Sequence, residues 1–398
     1  MNRATVTPIE RQAVLALAGI FSLRMLGLFM ILPVFTIYAE QLSNVTPTLA
    51  GIAVGIYGFT QAALQIPLGF ASDHFGRKPV IVIGLLLFVA GSLVAAGSTS
   101  IYGVIAGRSL QGVSAIGCVL MALAADLIRA EIRSRVMAIL GITIGLSFAL
   151  AMVLGPILQE VMGVQGIFWL TAILGSVAIV VLAVFVPTPV NPSVQNEAIP
   201  VLRDIPKVFL HAELSILNFG VFALHAILVA LFLQIPTAVN GIECFAGKTW
   251  QFYVFVFLGS LILTVPCLLF LEKKPYAKTG LVGIVLLLIL SELGIGGYFH
   301  SPLGLAVSLC LFFTAFNTLE ASLPSLVSKL APPKAKGTAL GVYSSAQFFG
   351  IFIGGLAGGR LNENYGMVGI LWFSVGLTLF WFLWIYSKYM RGLKWQEG

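Results

Sequence analysis

Twelve uninterrupted apolar stretches run the length of this chain, at 13–39, 48–70, 79–98, 101–128, 136–159, 164–187, 214–239, 249–271, 279–298, 302–329, 337–359 and 366–390. A helix needs about 20 apolar residues to cross a hydrocarbon core about 30 Å thick, because it rises about 1.5 Å per residue. Each stretch meets that length. The runs are continuous and rich in Leu, Ala, Ile and Val, whereas a membrane barrel alternates over about ten residues. Only 9% of the residues are charged, against about 25% in a soluble domain. Too few charges are present to cover a water-facing surface, so lipid must surround most of the chain. The first stretch is too long for a signal peptide and no small-residue cleavage site follows it. The expected fold is an all-α polytopic membrane protein with twelve transmembrane helices.

Lys and Arg alternate with these stretches. Arg3 and Arg11 precede the first; Arg77 and Lys78 follow the second; Arg129, Arg133 and Arg135 follow the fourth. Arg203 and Lys207 follow the sixth, Lys273, Lys274 and Lys278 the eighth, Lys329, Lys334 and Lys336 the tenth, and Lys388, Arg391 and Lys394 the twelfth. Only Lys248 and Arg360 fall on the other side. The positive-inside rule then expects both termini in the cytoplasm. The net charge of +7 is spread in twos and threes, which suits an anionic leaflet and not nucleic acid.

The longest non-apolar stretch, 188–213, carries Pro189, Pro192, Pro200 and Pro206 and reads as a cytoplasmic linker with a short helix near 201–210. It divides residues 1–187 from 214–398, six helices from six. The halves echo one another: Leu140-Gly141 and Gly155 match Leu340-Gly341 and Gly355 at a shift of 200, and Tyr57 and Lys78-Pro79 match Tyr253 and Lys274-Pro275 at 196. Two pseudo-symmetric six-helix bundles of this kind can rock about a site near the bilayer midplane.

The most specific string is GFASDHFGRKP at 69–79. Gly69 and Gly76 permit close backbone approach and a sharp turn. Asp73 is placed to cap the positive end of a neighbouring helix, and Arg77 to pair with Asp126 at the end of the fourth stretch. The plain alternative is a loop that only obeys the orientation rule. The string resembles the G-x-L-A-D-R-x-G-R-K-x-x-L loop of the major facilitator superfamily, with Ala71, Ser72 and His74 departing from it. Arg108-Ser-Leu-Gln111-Gly112 resembles that family's R-x-x-Q-G motif, and Ala151-x-x-x-Gly155-Pro156 resembles a degraded form of the G-x-x-x-G-P signature of drug:proton antiporters. Phe21-Ser-Leu-Arg24-Met-Leu-Gly27 and Gly337-Thr-Ala-Leu-Gly341-Val-Tyr resemble the YajR-type branch, whose further C-terminal soluble domain is not expected after Gly398. The resemblance implies the major facilitator fold. It also implies a conformational latch in which Asp73, Arg77 and Asp126 form a charge network against the start of the eleventh helix at Gly337 and Gly341.

Ionisable groups inside a bilayer cost about 2.5–3.5 kcal/mol on insertion scales and are functional suspects. Arg24, Arg108, His225, Glu292 and Glu320 qualify. Glu320 is the first proton-carrier candidate, since a midplane carboxyl can be neutral when occluded and ionised when wet; a hydrogen-bonded core Glu is the alternative. His225 titrates near neutral pH when unperturbed, yet a lone His on an apolar helix is more often a packing residue. Glu292 has the alternative of a place near the outer interface. Arg24 cannot carry the proton but can bind an anionic substrate, tune a carboxylate or serve as a structural partner. The family resemblance gives Arg108 an influence on coupling. Tyr57, Gln61, Gln65, Gln234 and Asn317 are the candidate polar lining of a mainly apolar cavity, which suits amphiphilic organic compounds.

No metal spacing, nucleophile elbow or phosphate loop is present, so neither an enzyme, a metal nor a cofactor is expected. Cys118, Cys244, Cys267 and Cys310 are expected in core packing. The expected function is multidrug-type efflux by proton antiport at the cell inner membrane, by a monomer whose partners are a small-molecule substrate, protons and the lipid bilayer. An importer using proton symport and a non-transporting sensor are the competing readings.

Overall fold

In the computed structural model, residues 7–188, 205–245, 248–271, 277–332 and 335–390 are described. Arg3, Arg203, Lys273, Lys274, Lys334, Arg391, Lys394 and most of the linker lie outside them, as do the side chains of Lys207, Cys244 and Lys278.

The first half comprises α1 (Pro8–Phe29), α2 (Phe35–Ala39), α3 (Pro47–Phe75), α4 (Arg77–Ala96), α5 (Ile101–Val113), α6 (Gly117–Leu127) and α7 (Ala130–Phe185). The second comprises α8 (Ile205–Leu210), α9 (Ala212–Leu231), α10 (Ile235–Asn240), α11 (Thr249–Leu271), α12 (Ala277–Gly297), α13 (Pro302–Leu330) and α14 (Lys336–Met390). Helix α8 answers to the short helix expected within the linker. Among the described residues, ten spans are long and apolar enough to cross a membrane. Two of these, α7 with 56 residues and α14 with 55, break at Gly163 and Gly366, where φ is +68° and +58°. Only glycine enters that left-handed region cheaply. Each long helix therefore crosses twice, which gives twelve crossings.

The repeat is visible in these breaks. The first crossing is interrupted between α1 and α2, and the seventh between α9 and α10. At each break the chain turns and re-enters a short helix, and the Thr36 hydroxyl of α2 donates to the Phe232 carbonyl at 3.3 Å. Large apolar side chains point outward around the bundle, among them Ile142, Ile262 and Trp372, each at least 70% exposed. Water would penalise such a surface; lipid does not.

At the end of the bundle that carries the first residues of α1, Thr7 and Glu10 form a reciprocal cap. Glu10 goes further: Arg129 Nε and Nη2 donate to its two carboxylate oxygens at 2.8 and 3.0 Å. This ties α1 to the turn before α7. We expect Glu10→Gln to lower the melting temperature by about 2–4 °C, since a bidentate charged pair and part of a cap are lost. A thermal unfolding curve in detergent checks this, and an unchanged midpoint would count against it.

The two halves touch at the opposite end, called here the far end. Gly51, Gly55 and Gly58 of α3 lie against the α14 backbone at Phe348, Phe352, Gly355 and Gly359. A Cβ at Gly55 would come within 2.9 Å of the Phe352 carbonyl oxygen. Phe59 packs on Phe352 with ring centroids 4.9 Å apart, and Tyr57 meets Phe348 edge-on at 6.2 Å. Thr48 bonds to Glu363 across the same seam. Phe148 of α7 completes the layer, with centroids 6.0 Å from Phe257 and 6.1 Å from Phe316.

Candidate functional site

Two polar clusters lie at the inner edge of this closed layer, one in each half. In the first half Arg24 is fully buried. Its Nη2 donates to the Tyr57 hydroxyl at 3.0 Å, Gln61 Oε1 at 2.9 Å and the Ser114 carbonyl at 3.0 Å. The acceptor from Ser114 exists because the chain breaks helix between α5 and α6, leaving carbonyls unpaired. Arg108 stands over the other side of Tyr57, 5.3 Å from the ring centroid. It donates to Gln111 Oε1 at 3.1 Å and to the Ala53 and Val54 carbonyls at 3.3 and 3.4 Å. Gln111 passes a hydrogen bond to Ser92 at 2.8 Å. Gln65, one turn along α3 from Gln61, is buried with its Oε1 unpartnered.

In the second half, Gln347 joins two of the sequence candidates. Its amide nitrogen is 3.0 Å from Glu320 Oε1 and 2.8 Å from His225 Nε2. His225 Nδ1 lies 3.1 Å from the Val221 carbonyl. That carbonyl can only accept, so Nδ1–H donates to it, while Nε2 faces the Gln347 amide nitrogen. Glu320 Oε2 is 3.9 Å from His225 Nε2 and has no hydrogen-bond donor. The Glu320 side chain retains 36% exposure. It lies one turn beyond Phe316, which stacks on Phe148 and touches the His225 ring at 5.5 Å. The carboxyl thus begins where the aromatic seal ends. Asn317 lies on the same helix, half-buried.

Phe348, the partner of Tyr57, is the residue after Gln347. One aromatic contact thus joins the two helices that carry Tyr57 and Gln347. No interval along the sequence announces this, because Arg24 and Gln347 are in different halves. Gln347 was legible only as an amide in an apolar helix, four residues after the buried Tyr343.

The remaining candidates lie elsewhere. Glu292 is fully buried between α12 and the second half of α14, where the Thr378 hydroxyl donates to Oε1 at 2.7 Å. Gln234 is at the far end, bonded to Asn362 at 2.5 Å. Gly155 and Pro156 lie in α7, where Gly155 lets that helix pass the break after α1; a Cβ there would come within 2.9 Å of Pro33 and closer still to the Met30 carbonyl.

The charged loop forms a network of its own. Gly76 closes α3 with φ +88°. Arg77 Nε is 3.2 Å from Asp126 Oδ2, Nη1 donates to the Ser72 hydroxyl at 2.6 Å, and the guanidinium also pairs with Asp73. Ser72, a departure from the family pattern, thus supplies an acceptor that the usual alanine lacks. Gly337 and Gly341 open α14, half-buried. No atom of α14 lies within 4 Å of where a Cβ at Gly69 would sit; the neighbour there is Cys118 Sγ at 3.7 Å.

Residues 17–290 match the Major Facilitator Superfamily. The inner membrane transport protein YajR of Escherichia coli K12 is 42% identical over 95% of this chain and 86% of its own length. Multidrug resistance protein MdtH of Photorhabdus laumondii is 26% identical over 88% of each. Among solved structures, a D-xylose-proton symporter superposes with a TM-score of 0.74 at 15% identity, over 94% of this chain and 97% of the other. That last likeness speaks for the fold alone.

Proposed function

The chain belongs to the major facilitator superfamily of membrane transporters, and from that premise we propose a secondary active transporter that exports small amphiphilic organic compounds in exchange for protons. The carrying observation is the Glu320–Gln347–His225 cluster at the edge of the seal between the halves, in which the Glu320 side chain is 36% exposed and His225 is buried. Glu320 is the proton carrier: Oε2 is the oxygen left open to a proton, and Gln347 holds the carboxyl in place whichever charge it bears. Rocking of the halves exposes the carboxyl to one face and then to the other. Arg108 and Tyr57 hold the facing wall, so protonation of Glu320 is felt across the Tyr57–Phe348 contact. The efflux direction rests on the Gly155-Pro156 resemblance and on the likeness to MdtH. The membrane is the cell inner membrane, as the name of the YajR relative has it for that protein. Both termini face the cytoplasm, by the basic-residue asymmetry.

A second reading has its own observation. Arg24 and Arg108 place two positive charges opposite a single half-exposed carboxyl. Such a centre favours a proton and an anionic substrate together, which is symport.

Proteoliposomes with an imposed pH gradient and a panel of compounds test both. The wild type should show substrate-dependent proton movement. Glu320→Gln should abolish it while substrate exchange at zero gradient persists. Full coupling in the mutant would remove Glu320 from the mechanism. Accumulation of substrate down an inward proton gradient would select symport.

A further inference from the structure

Arg24 is fully buried with two of its three guanidinium nitrogens unpaired. Three acceptors crowd its Nη2, while Nε and Nη1 are buried without any acceptor. Elsewhere among the described residues, arginine ion pairs join Arg77 to Asp73 and Asp126, and Arg129 to Glu10. Among the described residues, neither Arg24 nor Arg108 forms an ion pair with a carboxylate. A guanidinium is always charged, and burying it without a counter-charge is costly. Tyr57, Gln61 and Ser114 are neutral. They fix the orientation of the group without cancelling its charge.

We propose that Arg24 receives the anionic head of the transported compound, and that the substrates are amphiphilic organic monoanions bearing a carboxylate or a sulfonate. This rests on the transport reading above and is independent of its direction. The surroundings fit both ends of such a molecule. Arg24 is fully buried in this state, so the head reaches its unpaired Nε–H and Nη1–H groups as the halves rock open, with Arg108 adding positive potential from beyond the Tyr57 ring. The body meets an aromatic wall: Phe29, on the same helix as Arg24, lies edge-on to Phe148 at 5.0 Å, and Phe148 continues to Phe316 at 6.1 Å. That wall ends beside His225 and Glu320. The substrate therefore bridges the cation in the first half and the proton carrier in the second, so its charge is sensed by both. Lipophilic cations, which a lone carboxyl would attract, are disfavoured by two guanidiniums.

The test is a matched probe pair in phosphatidylcholine nanodiscs, read by energy transfer from tryptophan with empty discs subtracted. 1-Anilinonaphthalene-8-sulfonate carries the anion; N-phenyl-1-naphthylamine has the same rings without it. The wild type should bind the sulfonate at least about tenfold more tightly than the amine, the scale of one or two hydrogen bonds to a charged group. Arg24→Gln should remove that preference and leave amine affinity unchanged, while Arg24→Lys should retain part of it. Gln61→Glu gives Arg24 an internal counter-charge at an atom already 2.9 Å away. It should abolish the preference with the guanidinium and its packing intact, even where Arg24→Gln does not assemble. Equal affinities in the wild type, or a preference that survives both Arg24→Gln and Gln61→Glu, would overturn the proposal. Because no gradient is applied, these results are separable from failure of proton coupling.

Discussion

Gly355→Val should stop transport, lowering turnover by about a hundredfold or more, by preventing the halves from closing at the far end. A Cβ at this position would lie 2.9 Å from Gly55 Cα and 3.0 Å from Gly55 N, and closer still to the Gly51 carbonyl. All three obstacles are backbone, so no rotamer change can relieve them. The clash is between halves, and each half can still fold around its own core. The expected product is a stable protein held open at that end. Spin labels at Ser43 and Asn364 should report a longer and narrower distance distribution than in the wild type. Gly376→Ala is the control, since nothing lies within 4 Å of its Cβ position. Wild-type turnover in Gly355→Val, or equal damage from Gly376→Ala, would show that the seam is not what transport requires.

The second large effect concerns Arg77. Its guanidinium joins Asp73, Ser72 and Asp126, whose carboxylates are 21% and 11% exposed for the two aspartates. Arg77→Ala strands both negative charges and should reduce transport by about 5–150-fold, the range of typical conformational coupling energies. It should also cost stability, because a half-buried carboxylate loses its partner. Asp73→Asn separates the two effects. Arg77 keeps Asp126 and Ser72 in that variant, so the melting temperature should hold. Transport should still fall, because in the proposed latch Asp73 is the group that engages the start of α14 when the halves rock the other way. In the present state the far end is sealed, and no atom of α14 lies within 4 Å of the Cβ position at Gly69. Wild-type transport in Asp73→Asn would sink the latch and leave the loop a structural corner. A pulse of fluorescent substrate into proteoliposomes measures both variants.

Much of the scaffold was open to reading in advance because its causes are local. An apolar run of sufficient length is a crossing wherever it occurs. The two long helices obey the same rule: each spans two predicted crossings, and a single glycine at Gly163 or Gly366 makes the turn. The Arg77–Asp126 pair was also within reach, since a loop and the end of the fourth crossing share one end of the bundle. Glu10 was missed although Thr7-x-x-Glu10 is a capping pattern, because its second partner, Arg129, lies far along the chain. Ser72 looked like a loss from the loop motif, yet it accepts from Arg77.

Gly155 and Gly355 show where such reading stops. They match at a shift of 200 residues and both lie where backbone meets backbone. Gly155 faces the Met30 carbonyl of its own half; Gly355 faces Gly51 of the other. The same residue in the same register packs a bundle in one copy and closes the seam in the other. A glycine in matching register cannot distinguish these, because the difference resides in which helix lies opposite.

From the sequence alone came the membrane environment, the number of crossings, the repeat, the family and the small set of charges the membrane interior must accommodate. Each follows from hydropathy, helix rise or a short motif, and all but the repeat are properties of contiguous residues. Tertiary structure alone decided that Gln347 links Glu320 to His225, that Arg24 is buried with Nε and Nη1 unpaired, and that Glu292 and Gln234 bond to Thr378 and Asn362 instead of joining either cluster. Those are relations between helices far apart along the chain. They are set by how twelve rods pack, and packing depends on shape complementarity that no single stretch of sequence contains.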